Sequence, residues 1–338
     1  MPKELLMGNE IVVKAALAAK AEAFFGYPIT PTSEIMSVWA KLQPEFKTKF
    51  LQTEDEMAAG FAVIGAVMAG TKAFTATSGP GNTLMQDPMS MAEAMRIPTV
   101  CVVSQRGGPS TGSVIYGQQE VTLTGWGGNS EGYRVVYSPS TLQEMYDYTI
   151  KCFNTAWTYR FPTFLLIDGY IGKMTAEVNL KRPPKLVPSF PLLARGYTNL
   201  RNCFDLEEEI FEVNVKLKKA FDKASPKIVE SEAYKCEDAE TILVAHGIVA
   251  AACKEAISFL RKNKKKVGLF RPITLNPFPQ KEARKVLKKA KKIIVVESAA
   301  NQLLKLLKEN LYGQTVPITN YGRPALGITP DEIINLIK

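Results

Sequence analysis

"TKAFTATSGPGN", residues 71–82, is the stretch whose reading decides the fold. Residues 71–77 read as a strand, and the Ser-Gly-Pro-Gly-Asn behind them is turn chemistry, a tight loop that hands the chain to a helix. The same unit recurs downstream. "TVCVVSQ" (99–105) is a buried strand running into the glycine-rich "RGGPSTG" (106–112), and "PTFLLIDG" (162–169) is another, preceded by a helix over Leu142–Tyr159. Apolar strands separated by helices mean a parallel sheet covered on both faces. Ligands of such sheets bind in the loops at the carboxyl ends of the strands.

Upstream, Ile11–Phe24 is apolar with helical spacing and is followed by a stiff corner, "GYPITPTSE" (26–34), short of N–H donors at its two prolines. A helix is expected to resume over Ile35–Leu42, a short strand over Lys49–Gln52, and a long helix over Glu54–Ala69. Downstream, residues 174–235 break the rhythm with the proline-rich crossing "KRPPKLVPSFP" (181–191) and a charged helix, Leu206–Lys223. A second α/β unit starts near Glu240, with strands "TILVAHG", "KVGLFRPI", "KIIVVES" and "VPITNYG" alternating with helices. The expected organisation is an α/β domain over 1–180, a linker with a helical insert over 181–238, and a second α/β domain over 239–338.

Composition narrows the chemistry. The 338 residues hold five widely spaced cysteines and a single histidine, His246. No CxxC pair exists, so neither a zinc site nor an iron–sulfur cluster is expected in this chain. One histidine excludes most Ser–His–Asp and multi-histidine metal designs. A carboxylate, a lysine or a bound cofactor must move the protons. No apolar run reaches the 18–20 or so residues that span a membrane. The start "MPKELLMGNE" has neither an apolar signal region nor a twin-arginine motif, so a cytoplasmic location is expected. The net charge of +9 is uneven: residues 1–180 hold 13 Lys/Arg against 16 Asp/Glu, the remainder 29 against 17. Solvated helix faces account for the basic runs, and no motif supports nucleic acid.

Several residues carry a chemical and a plain structural reading side by side. Thr30-Pro31 fits a helix start, with threonine as cap and proline at the first helical position, but the rigid Tyr27-Pro28-Ile29 approach can also hold a hydroxyl and an apolar wall against a ligand. Thr53 and Glu56 fit a capping box. The helix behind them is apolar on every side, so its acidic end is expected to be buried, and a buried glutamate can share a proton with a ligand nitrogen. "TSGPG" (77–81) could cradle a phosphate, although it lacks a P-loop lysine, and a tight turn is the better account. Arg106, where a buried strand meets a glycine-rich loop, suits a carboxylate. Asp168-Gly169 reads as turn chemistry rather than a metal site.

Together "GYPITPTSE", "TEDEMAAG", "TATSGPGNTLM", "QRGGPSTG" and "SPSTLQEMYDY" resemble, in order and spacing over residues 8–175, the alpha subunit of 2-oxoacid:ferredoxin oxidoreductases. The resemblance implies a pyrimidine-type thiamine-diphosphate-binding domain followed by a transketolase C-terminal-like domain. It implies that Tyr27, Pro28 and Glu56 belong to the cofactor site, with Glu56 bonding the aminopyrimidine ring, and that Thr30 and Arg106 contact substrate. The diphosphate and Mg2+ are implied to sit on a beta subunit carrying a GDG…N motif, which this chain lacks. Iron–sulfur clusters are implied on partner subunits, including gamma and small ferredoxin-like ones. The implied activity is coenzyme A-dependent oxidative decarboxylation of 2-oxoglutarate, with electrons passed to ferredoxin. A branched-chain 2-oxoacid oxidoreductase subunit and a non-catalytic docking subunit are the alternatives.

Overall fold

The computed structural model describes residues 3–193 and 200–337. Its centre is built by three adjacent strands whose residues are all buried, β4 (Ala73–Thr77), β5 (Val100–Gln105) and β7 (Thr163–Asp168). Runs with no polar alternation cannot face water on either side, so each lies inside a parallel sheet. Around them sit β2 (Ala23–Gly26), β3 (Lys49–Gln52), β6 (Val135–Tyr137) and β12 (Thr274–Asn276). The order is β12-β6-β7-β5-β4-β2-β3, parallel except for β12, which runs antiparallel to β6.

β2 corrects one expectation. The apolar run over residues 11–24 is not one helix: a helix covers Gly8–Ala18, the chain turns at Lys20 (φ 64°), and the remainder becomes an inner strand. The reason is tertiary. Phe24 packs against Trp39, Phe50 and Phe74, with ring centroids 4.9–6.4 Å apart, a burial that a helix continuing outward could not provide.

A second sheet has the order β14-β13-β10-β11-β9. It comprises β9 (Ser231–Tyr234), β10 (Thr241–Val244), β11 (Val267–Pro272), β13 (Lys292–Glu297) and β14 (Ile318–Gly322), parallel but for β9. The four strands read from the sequence of this region are all present. A two-stranded antiparallel ribbon, β1 (Lys3–Met7) with β8 (Thr175–Asn179), closes the first half.

The two sheets are not beads on a string. Cys101, Val103, Phe164 and Leu166 of the first sheet share one apolar core with Ile242, Val244, Phe270 and Leu303 of the second region. β12 leaves the second region to extend the first sheet, and the helix Glu207–Ile228 lays Leu217, Phe221 and Ile228 into the core on the first sheet's opposite face. Extensive apolar contact of this kind opposes hinge motion between domains.

Candidate functional site

The chain leaves β2 through the helix Ser33–Phe46 to β3 on one side, then returns through the helix Glu56–Met68 to β4 on the other. Neighbouring strands whose connections depart in opposite directions leave a crevice at their carboxyl ends. Into it run the corner after β2, the start of the helix after β3, and the loops after β4 and β5. These segments carry the residues singled out in the sequence.

The corner is held from behind. Asn9, fully buried, donates through Nδ2 to the Pro31 carbonyl (2.7 Å) and to Glu34 Oε2 (2.8 Å). The amide and hydroxyl of Thr32 both donate to the Ile29 carbonyl at 2.9 Å. Thr30 is not a helix cap: the Thr30-Pro31 bond is cis, and the helix begins only at Ser33 with Thr32 before it. Instead Thr30 stands exposed, and its carbonyl accepts a 2.7 Å hydrogen bond from Arg106 Nη1. Tyr27 and Pro28 form an exposed rim.

Glu56 is freed by its neighbour. The cap of its helix is Asp55, whose side chain accepts from the Ala58 amide at 2.7 Å, while the Thr53 hydroxyl donates to the Asp55 carbonyl at 2.7 Å. The expected Thr53–Glu56 capping box is therefore absent, and the Glu56 carboxyl faces the loop after β4. A Cβ placed on Gly81 would lie 2.3 Å from both Glu56 Oε1 and Thr77 Oγ1, so only glycine admits the carboxyl there. Glu56 is 5 % exposed. Burial raises its pKa above the ordinary carboxylate range, helped by the Asp55 charge and opposed by a backbone amide and by Arg106.

The loop after β4 does not cradle phosphate. The Gly79 amide donates to Glu120, that of Gly81 to the Ser78 carbonyl and that of Asn82 to the Gly79 carbonyl, so these three amides are already used. Gly79 (φ 52°) is needed for another reason: a Cβ there would sit 2.5 Å from Arg106 Nε. Arg106 itself is 4 % exposed, folded over this glycine and anchored to Thr30.

Glu120 went unnoticed in the sequence. It is buried at the head of a short helix, Val121–Trp126, where nothing in the local pattern separates it from an ordinary helix-start glutamate. Burial pushes its pKa up to about 8, against the amides of Gly79 and Arg106, the Asn82 amide group and the Arg106 charge.

Asp168, expected in a turn, accepts from the Ile248 amide at 2.7 Å and so caps the helix Gly247–Lys262 of the second region. Ser113 is also spoken for, accepting from the Gly107 amide (3.0 Å) and donating to the Tyr116 carbonyl (2.7 Å).

What the cluster offers is a set of polar groups awaiting partners. Buried without a hydrogen-bond partner are Thr77 Oγ1, Ser78 Oγ, Ser104 Oγ, both polar atoms of the Gln105 amide, and Arg106 Nε. Buried polar groups are nearly always satisfied, so their concentration at the ends of β4 and β5 makes this crevice the candidate ligand surface. A protonatable buried carboxyl beside a glycine, with a guanidinium nearby, fits the aminopyrimidine half of thiamine diphosphate. Among the described residues no cluster of three His, Cys, Asp or Glu side chains could hold a metal ion. The cavity of about 540 Å3 bounded by Tyr137, Tyr146, Lys151 and Lys227 includes none of these residues.

Residues 14–233 match the family described as pyruvate flavodoxin/ferredoxin oxidoreductase, thiamine diphosphate-binding, and residues 239–329 match pyruvate:ferredoxin oxidoreductase core domain II. The chain is 35% identical over 333 residues to 2-oxoglutarate synthase subunit KorA of Methanocaldococcus jannaschii, covering 90% of each. It is equally 35% identical over 317 residues to ketoisovalerate oxidoreductase subunit VorB of Methanothermobacter marburgensis, covering 91% of this chain and 90% of the relative. Among solved structures it is similar to 2-oxoglutarate:ferredoxin oxidoreductase from Magnetococcus marinus with 2-oxoglutarate, coenzyme A and succinyl-CoA bound. The TM-score is 0.87 at 26% identity, covering 99% of this chain and 64% of that one, so this chain spans just under two thirds of that protein. A split gene transketolase shares the fold, with a TM-score of 0.62 at 12% identity over 98% of this chain and 95% of that one.

Proposed function

The chain belongs to the family of 2-oxoacid:ferredoxin oxidoreductases, and from that premise we propose that it is the alpha subunit of a 2-oxoglutarate:ferredoxin oxidoreductase. The reaction is oxidative decarboxylation of 2-oxoglutarate to succinyl-CoA, with the electrons delivered to ferredoxin. The single observation that carries the reading is the pairing of buried Glu56 with Arg106 across the Gly79–Gly81 loop. One group is chemically suited to a heterocyclic nitrogen and the other to a carboxylate, and both stand in one crevice.

Bound thiamine diphosphate supplies the nucleophilic carbon and the electron sink of the reaction. Glu56, whose burial favours its protonated form, exchanges a proton with the ring nitrogen and so selects the ring's tautomer. Arg106, anchored to the Thr30 carbonyl through Nη1, offers the rest of its guanidinium to the 2-oxoacid carboxylate. Thr30 adds its exposed hydroxyl from the corner, and Tyr27 and Pro28 wall the site. Cation and diphosphate are assigned to a beta subunit, and iron–sulfur clusters to further subunits, on the family resemblance, since this sequence carries neither a GDG…N motif nor a CxxC pair. The assignment of residues 1–180, 181–238 and 239–338 to separate units is part of the same proposal.

A branched-chain 2-oxoacid is the second reading, and the equal identity to the VorB subunit favours it specifically. A 2-oxoglutarate site must satisfy a second carboxylate, and a polar pocket left unpaired by an aliphatic substrate discriminates strongly. Ser110 and Thr111, exposed on the loop after β5, remain for that role once Ser113 is consumed internally. The test is a steady-state comparison in the assembled complex. At least a tenfold preference for 2-oxoglutarate over 3-methyl-2-oxobutanoate, about 1.4 kcal/mol in the barrier, is expected. The reverse order transfers the assignment to the branched-chain class.

A further inference from the structure

Glu120 occupies a position that the reading above leaves without a purpose. Its carboxyl accepts from the Gly79 amide of the loop after β4 and interacts electrostatically with Arg106 of the loop after β5. Those loops carry the glycine over which the Arg106 guanidinium folds and the arginine itself. Behind Glu120 runs a continuous buried polar chain. Asn82 Nδ2 lies 3.5 Å from Glu120 Oε2 and donates to Thr124 Oγ1 at 3.1 Å. Gln86 Nε2 donates to Asn82 Oδ1 at 2.9 Å, and its Oε1 accepts from Arg134 Nη1 at 2.8 Å. Arg134, fully buried, closes the chain on Glu93 Oε2 at 3.1 Å. Buried networks in which every member is satisfied impose one geometry, and this one ends at the seat of Arg106.

We propose that Glu120 is a positioning residue of the substrate site: by binding the amide of Gly79, the glycine over which Arg106 folds, it sets where Arg106 meets the 2-oxoacid carboxylate. The inference rests on the functional reading above. The titratable and charged groups that interact with Glu120 are Arg106 and, through the strand behind it, Cys101, with Arg134 beyond. While Glu120 is protonated, the Arg106 charge is available to substrate; once ionised, Glu120 competes for that charge.

The experiment compares wild type, Glu120→Gln and Glu120→Ala in the assembled complex, measuring KM for 2-oxoglutarate and for coenzyme A from pH 6.5 to 9, with Tm recorded for each protein. Glu120→Ala leaves the Gly79 amide unpaired and is expected to raise the KM for 2-oxoglutarate about tenfold, while the KM for coenzyme A stays within about twofold. In wild type the KM for 2-oxoglutarate is expected to rise about threefold or more as pH passes 8 and Glu120 ionises. Glu120→Gln, which cannot ionise, is expected to flatten that rise. A Tm loss with unchanged KM values, or parallel increases in both KM values, overturns the inference, because a merely structural glutamate does that. A pH profile identical in wild type and Glu120→Gln overturns it too. If wild type turns over no 2-oxoacid at all, the functional reading falls and takes the inference with it; if wild type is active and the variants match it, only the inference falls.

Discussion

Replacing Glu56 by glutamine is expected to separate catalysis from helix stability, because the helix cap is Asp55 and the proposed cofactor contact is its neighbour Glu56. Asp55 is the cap, its side chain accepting the Ala58 amide, and Glu56 makes no cap at all. Glu56→Gln keeps the volume and removes only the ionisable proton and the charge. Loss of a charge-assisted hydrogen bond to the ring nitrogen costs about 1.5–3 kcal/mol, so turnover of the complex should fall roughly 10- to 150-fold. Stability should not fall with it. A buried carboxyl whose pKa is raised destabilises the fold as it ionises, so a neutral amide at 56 is expected to leave the Tm at pH 7.5 unchanged or higher. Asp55→Ala should show the mirror image, losing about 0.5–2 kcal/mol of stability with turnover within a factor of about three once assembled. The assay is thermal melting of the isolated chain together with 2-oxoglutarate-dependent ferredoxin reduction by the reconstituted complex. If Glu56→Gln melts early and turns over normally, the glutamate is a structural residue and the site assignment fails.

Gly81→Ala should place a methyl group 2.3 Å from Glu56 Oε1 and Thr77 Oγ1; about 1–3 kcal/mol of overpacking is expected, with turnover lost at temperatures where the chain is still folded by circular dichroism. His246 is buried, held by Ser138 Oγ at 2.9 Å, and its pKa is lowered to about 3 by burial and by Arg271. The unfolded chain therefore binds the extra proton, so this contribution is complete above pH 6.5 and is lost as pH falls toward 3. Roughly 2 kcal/mol should disappear between pH 6.5 and 5, and urea midpoints of wild type and His246→Asn should converge over that interval; parallel curves would refute the assignment. The helix Glu56–Met68 is apolar all round and leaves Met57 and Phe61 exposed beside Leu84, a surface expected to be covered by a partner subunit. Phe61→Glu should leave the isolated chain's stability within about 0.5 kcal/mol but abolish co-elution with the other subunits; unaltered co-elution would move the interface elsewhere.

The amino-acid sequence by itself determined the α/β class, because unbroken apolar strands such as Val100–Gln105 and Thr163–Asp168 have no stable home except a covered parallel sheet. It also determined which residues to suspect, since Thr30, Glu56 and Arg106 lie at strand ends, where a parallel sheet presents ligands. Tertiary structure alone decided the rest. The apolar run before the corner splits into helix and strand because Phe24 gains three aromatic neighbours from elsewhere in the chain. Whether Thr53 or Asp55 caps the following helix turned on geometry that spacing does not contain, and that geometry leaves Glu56 out of the cap. Glu120 was invisible for the same reason: its partners lie 41 residues away at Gly79 and 38 away at Asn82. Local pattern reports on neighbours along the chain, whereas a carboxyl's burial, and hence its proton affinity, is set by whatever the fold brings against it.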